Sequence, residues 1–214
     1  RVSRIQALVL TLLIGMPAFL EAQNTTMRPP ITGIAKVSVY GADLGKSKQF
    51  YGDLLGFPQT DTSAAAPLEY RVNSTQSIEV TPLPSGETDD LAYVAFATSN
   101  AQALRRYLLS QNVSVEGDIQ TQRNGAQFFW VKDPEGHRIQ FVQLPTRGRL
   151  VLVAAKDAIA EPEKPISHHI LHAGFVVHDR AAEDHFFRDI LGFREGWQGG
   201  STEGRTDWID MQVP

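Results

Sequence analysis

Residues 43–57, DLGKSKQFYGDLLGF, return 136 positions later as DRAAEDHFFRDILGF, residues 179–193. Each copy opens on an aspartate and closes on Leu-Gly-Phe. Over Leu44 to Leu55 the residues Phe50, Tyr51, Leu54 and Leu55 fall on one helical face, with Asp43 placed as N-cap and Gly56 as C-cap. The resemblance extends upstream, where HAGFVVHD (172–179) stands where KVSVYGAD (36–43) stood. A helix this short is marginal alone in water and needs a partner surface. The chain therefore reads as an internally duplicated strand–helix unit whose apolar faces must be covered by other elements.

Alternating segments supply the cover. AKVSVY (35–40), LEYRV (68–72), QSIEVTP (76–82), LAYVAFA (91–97), QFFWVK (127–132) and HRIQFVQL (137–144) read as strands. A second helix runs over Ala101 to Leu109, with Ser99 or Asn100 as its cap. DPEG, Asp133–Gly136, is a tight turn that makes a hairpin of the last two strands. The order is strand, helix, strands, then strand, helix, strands. EPEKP marks a linker, although RLVLVAA within it has the pattern of an edge strand. The boundaries are an N-terminal linker at 23–32, a first domain at 33–145, a linker at 146–166 and the start of a second domain at 167–214.

Arg1 and Arg4 precede a largely apolar run that ends before EAQ, the layout of a secretory signal over residues 1–22. A retained anchor needs about 20 apolar residues. Export to the exterior or periplasm is the expectation, with no stable membrane span after cleavage. A formal net charge of −4 gives no basic footprint, so a small-molecule ligand is expected and no nucleic acid. Cysteine is absent, which excludes disulfides, thiolate metal sites and cysteine nucleophiles.

A strand ending in Asp, a short helix with Phe-Tyr or Phe-Phe, a closing Leu-Gly-Phe, and a later Asp-Pro-acidic-Gly turn before an apolar strand together resemble the vicinal oxygen chelate superfamily. That group includes glyoxalase I, fosfomycin and bleomycin resistance proteins, and extradiol dioxygenases. The resemblance implies an α+β fold in which paired βαβββ modules form a cupped mixed sheet, here with a second, incomplete copy. Strand alternation agrees: Val37 and Val39 separate from Lys36, Ser38 and Tyr40; Ile78 and Val80 from Ser77, Glu79 and Thr81; Val94 and Phe96 from Tyr93, Ala95 and Ala97.

The superfamily holds a divalent metal in the cup through His or Gln, Glu, His and Glu. Carried over by motif, those positions are Lys36, Glu79, Tyr93 and Gln140 in the first domain. Only Glu79 matches well, and an ammonium at Lys36 repels a cation in a low-dielectric cup. No metal is expected there; Lys36 either pairs with Glu79 or reaches solvent at a strand edge. Tyr93 and Gln140 either hydrogen-bond a ligand or belong to a set of polar residues in the lining that only satisfy one another, and Tyr40, Phe128 or Phe129, and Trp130 add aromatic surface. In the second copy the first ligand position is His172, which the resemblance makes a ligand to Fe, Mn, Ni or Zn. His168, His169, His178 and His185 lack that register, and alternation puts His137 opposite Gln140, away from the cup.

The chain ends in TDWIDMQVP, before the remaining ligand positions of the second copy, so a truncated second domain is expected, or one completed by a partner. Three functions stand open: a metal-dependent lyase or ring-cleaving dioxygenase, a metal-free binder of the bleomycin-resistance kind, and a structural or homo-oligomerising domain.

Overall fold

The computed structural model describes residues 27–60, 67–87, 91–145 and 165–213. The leader and most of the 146–166 linker, with RLVLVAA, lie outside the described residues. Seven strands form one mixed sheet: β1 (Ile31–Gly41), β2 (Leu68–Arg71), β3 (Ser77–Pro82), β4 (Leu91–Thr98), β5 (Val115–Thr121), β6 (Gln127–Lys132) and β7 (Arg138–Gln143), in the spatial order β2-β3-β1-β4-β7-β6-β5. β1 starts inside the stretch assigned to the N-terminal linker, because Ile31 is fully buried and pairs with Thr98. The sheet has internal symmetry: β1 lies parallel to β3 as β4 lies parallel to β7, and β1 meets β4 antiparallel at the centre. The two halves are the paired modules that the strand–helix order implied. β5 escaped the sequence reading. Gly117 interrupts it at φ +65°, and its pairing with β6 slips between Glu116 and Gln120, a bulge that breaks the alternation.

Two helical elements cover the outer face. α1 (Leu44–Lys48) is capped by the Asp43 side chain, which accepts from the Lys46 N–H at 3.0 Å. α2 (Ala101–Ser110) is capped by Asn100, which accepts from the Ala103 N–H at 2.9 Å, and buries Ala101, Leu104 and Leu108. The periodicity predicts a regular helix to Leu55, but the coil widens into a π-helical turn over Gln49–Leu54, with Leu55 N–H donating to Phe50 O at 2.9 Å. Gly56, at φ +75°, ends it. Widening rotates the apolar face. Tyr51 and Leu55 pack against Phe57, Leu68, Tyr70, Val72 and Val80, whereas Phe50 and Leu54 are exposed, at 47% and 73%.

Residues 179–199, the expected second copy, show the same local geometry. α3 (Arg180–Asp184) is capped by Asp179 and runs into a π-helical turn over His185–Ile190 that ends at Gly192, φ +74°. Leu191 N–H donates to Phe186 O at 2.9 Å, the counterpart of the Leu55–Phe50 bond. β8 (Arg194–Gly199) and β9 (Trp208–Gln212) pair with Glu195 opposite Met211, matching the isolated bridge between Gln59 and Tyr70. Burial differs. Phe186 and Ile190, equivalent to exposed Phe50 and Leu54, are 3% and 7% exposed in a core shared with Phe96, Leu104, Phe129 and Phe141. The Tyr107 hydroxyl also donates to Ile190 O at 2.9 Å, tying α2 to the second copy.

One expectation fails here. Residues 172–179 form no strand, and Val176 is 78% exposed. A strand is held by its ladder. β1 lies between β3 and β4, and among the described residues 172–179 has no such neighbours.

Candidate functional site

The inner face of the first domain carries a charged cluster built by strand alternation. Lys36 and Ser38 point up from β1, Glu69 from β2, Ser77, Glu79 and Thr81 from β3, and Tyr93 from β4. The Lys36 ammonium lies 2.8 Å from Glu69 and 3.2 Å from Glu79. Glu79 Oε1 accepts from Ser38 Oγ at 3.0 Å and from the Tyr93 hydroxyl at 2.9 Å. Glu69 Oε1 accepts from Ser77 Oγ at 2.7 Å. Burial works against the Lys36 charge, but Glu69 and then Glu79 outweigh it and raise its pKa above the lysine norm. Burial would raise Glu69, yet Lys36 holds it below the usual carboxylate range. Tyr93 is pushed far up, first by burial and then by the Glu79 carboxylate, so its phenol stays a neutral donor. Of the two roles open for Lys36, the structure takes the ion pair and adds Glu69, which the motif carry-over missed. Its signal was present: Glu69 lies opposite Glu79 in the β2–β3 ladder.

The aromatic candidates divide. Tyr40 and Tyr93 line a cleft of about 280 Å³ together with His137, Arg138 and Phe175. Trp130 stands edge-on to Tyr93 at 4.7 Å and carries the Arg138 guanidinium over its ring at 4.2 Å. Phe128 packs beside Ala95 and Val142 on the same face, but Phe129 is fully buried in the opposite core, because successive strand residues alternate. Gln140 is buried between Ala95 and Trp130 in register and makes no hydrogen bond to Tyr93, whose hydroxyl is engaged by Glu79. Tyr93 is thus satisfied by another polar residue of the lining.

In the second copy His172 Nε2 lies 3.7 Å from Asp210 Oδ1, with the side chains 74% and 36% exposed. IDMQV (209–213) aligns with LEYRV (68–72), so Asp210 stands where Glu69 stands and His172 where Lys36 stands. The contact is looser and more exposed than the Lys36–Glu69 pair, and it sets an imidazole where the first copy has an ammonium. An imidazole and a carboxylate are donors that Fe, Mn, Ni and Zn accept, whereas an ammonium has no lone pair to offer.

A second cluster lies where the two copies meet. In the DPEG turn Asp133 Oδ1 accepts from the N–H groups of Glu135 at 3.1 Å and His137 at 2.8 Å, and Oδ2 meets His137 Nδ1 at 2.6 Å. Glu183 of α3 comes down onto this turn and its Oε1 accepts from the same Glu135 N–H at 3.2 Å. Burial, and then the neighbouring Asp133 carboxylate, raise the Glu183 pKa to about 7. Glu135 itself reaches the other way, accepting from the His178 and Asp179 N–H groups at the start of α3. Donor atoms of Asp133, His137 and Glu183 lie within 4.8 Å of one another, a group able to hold a metal ion. Alternation puts His137 away from the cup, and its ring meets Asp133 and Phe175 and not the Lys36–Glu79 cluster. What the sequence reading missed is this second cluster, which His137 joins from the turn ahead of β7.

Residues 33–141, about half of the chain, match the family described as Glyoxalase/Bleomycin resistance protein/Dioxygenase superfamily. Among solved structures, the Mn(II)-bound glyoxalase from Novosphingobium aromaticivorans is 16% identical, with a TM-score of 0.63 over 86% of this chain and 59% of that one. BphC, a halotolerant catechol dioxygenase, is 18% identical, with a TM-score of 0.56 over 78% of this chain and 56% of that one. Methylmalonyl-CoA epimerase from Mycobacterium tuberculosis is 19% identical, with a TM-score of 0.47 over 57% of this chain and 94% of that one. The chain thus spans less than two thirds of the glyoxalase and the catechol dioxygenase. No curated protein matches by sequence.

Proposed function

The chain belongs to the Glyoxalase/Bleomycin resistance protein/Dioxygenase superfamily, and from that premise we propose that it is an exported small-molecule-binding protein. Its first domain serves without metal, and its second copy carries a metal-dependent lyase or ring-cleaving dioxygenase site with His172 as a ligand. The observation that carries this reading is the exchange at one register position: Lys36 held between Glu69 and Glu79 in one copy, His172 beside Asp210 in the other. Superfamily membership and the Mn(II)-bound glyoxalase neighbour support it.

His172 and Asp210 would hold the ion, which when bound supplies a Lewis acid that polarises a substrate oxygen. The first domain contributes binding and orientation. Tyr40, Tyr93 and Phe175 offer flat aromatic surface around the cleft, whose rim carries Lys132 and Arg138 together with Glu87 and Glu135, charged groups of both signs able to hydrogen-bond a polar ligand. Tyr93 keeps its proton and holds Glu79 in place.

Metal analysis of the purified full chain against His172→Ala tests the proposal. The variant is expected to lose one equivalent of metal; equal content in both overturns the assignment of His172. The second reading, a metal-free binder, is favoured by the cleft itself. It predicts that a small aromatic acid raises the melting temperature of metal-stripped protein. Export rests on residues 1–22 and predicts processing after Ala22 in a secreting host, read by N-terminal sequencing.

A further inference from the structure

We propose that Asp133, His137 and Glu183 form a second divalent-cation site, separate from the cup, that clamps α3 of the second copy onto the DPEG turn of the first domain. Two buried carboxylates converge there. Asp133 and Glu183 are each 5% exposed, and among the described residues neither is paired with a lysine or arginine. Arg180 and Arg188, the cations on this helical element, are turned to Asp184 and Asp189 instead. The Glu135 N–H is shared between the two acids, so one donor serves two acceptors.

An independent observation points to a missing partner. Glu183 is more than nine-tenths buried, yet its Oε2 is buried without any hydrogen bond. A carboxylate oxygen left so costs free energy that its neighbours do not return. A cation bridging the acids supplies the partner and cancels their repulsion.

The donor set selects the class of ion. Two carboxylates and an imidazole suit Zn²⁺ or Mn²⁺ better than Ca²⁺ or Mg²⁺, which take all-oxygen shells. A tetrahedral ion with bonds near ~2.1 Å keeps its ligands roughly 3.4 Å apart. That spacing falls between the 2.6 Å Asp133–His137 contact and the 4.8 Å limit on the cluster, so small side-chain rotations suffice. The role is structural: the ion joins a turn of the first domain to a helix that otherwise docks through Phe186, Phe187 and Ile190.

The test uses the full chain, stripped with chelator and titrated with Zn²⁺. At a hundredfold excess over Kd the melting temperature is expected to rise by about 5–10 °C. In the His172→Ala background the rise should remain, and adding Glu183→Gln, which keeps the shape and one acceptor, should abolish it, which separates this site from the cup. No rise in that background, or an equal rise once Glu183→Gln is added, overturns the proposal. Should Glu183→Gln fail to fold, Co²⁺ added to the stripped wild-type chain gives a second reading. Ligand-field bands of a tetrahedral nitrogen–oxygen site that persist in His172→Ala support the clamp, and bands that vanish in that variant refute it.

Discussion

Removing the ammonium of Lys36 is the sharpest test of the first-domain cluster. Lys36→Met keeps most of the side-chain volume and leaves Glu69 and Glu79 facing each other across the cup. The Lys36 and Glu79 side chains are 14% and 13% exposed, and Glu69 is 34% exposed. Breaking a buried pair from one side costs about 3–5 kcal/mol. Here the lower end applies, since water reaches Glu69 and screens it, and the hydroxyls of Ser38 and Tyr93 still serve Glu79. A loss of about 3 kcal/mol, or ~6–12 °C in Tm for a chain of this size, is expected at pH 7.5. The pH dependence has a fixed sign. Glu69 has its folded pKa depressed by Lys36, so its contribution is present above the unfolded value and is lost as pH falls through the folded one. The variant lacks that contribution, so the gap between the two proteins narrows on acidification below about pH 4.5. Urea unfolding at pH 7.5 and pH 4 measures both numbers. A loss below about 1 kcal/mol, or a gap that is the same at the two pH values, refutes the claim that this ammonium neutralises a buried acid pair.

Two further outcomes follow from the same geometry. Lys36→His supplies the missing lone pair beside Glu69 and Glu79, so the first domain of this variant should retain Mn²⁺ or Zn²⁺ on gel filtration where the wild-type domain does not; equal metal content in His172→Ala backgrounds with and without it defeats the idea that charge alone excludes the ion. Phe186→Ala should cost about 3–5 kcal/mol in denaturant unfolding and Phe50→Ala under about 1 kcal/mol, because the first side chain is 3% exposed and its counterpart 47%; similar costs would show that the second copy does not share the main core.

What could be read from the sequence divides along a physical line. Strand parity placed Lys36, Ser38, Glu79 and Tyr93 on one face, and the hydrogen bonds found there confirm that face. Parity is local and survives any packing, since a side chain on a strand can point only up or down. Caps were legible for the same reason: Asp43, Asp179 and Asn100 each satisfy an N–H three residues ahead. What failed depends on neighbours that no short window contains. Phe50 and Leu54 carry the same pattern as Phe186 and Ile190, yet only the second pair is buried, because only that helix packs into the Phe96–Phe141 cluster, whereas the first packs through Tyr51 and Leu55 on the Tyr70–Val80 cluster. Residues 172–179 have the composition of β1 without its flanking strands.

The junction cluster follows from that difference. Asp133 and His137 look like an ordinary turn lock, with the aspartate fastening the backbone two and four residues on, and within 33–145 they are no more than that. Glu183 belongs to a repeat 136 residues out of step, at the position that Ser47 occupies in the first copy, where the hydroxyl bonds only to Asp43 O one turn back. An acid appears where the first copy has a small hydroxyl, and it appears in the copy whose helix is pressed against a turn already holding a buried acid. Apolar packing through Phe186 and Ile190 brings the helix there whatever stands at 183. Docking through these apolar side chains does not itself call for an acid at 183, and the titration of Glu183→Gln against wild type decides whether the acid is there to hold a metal ion.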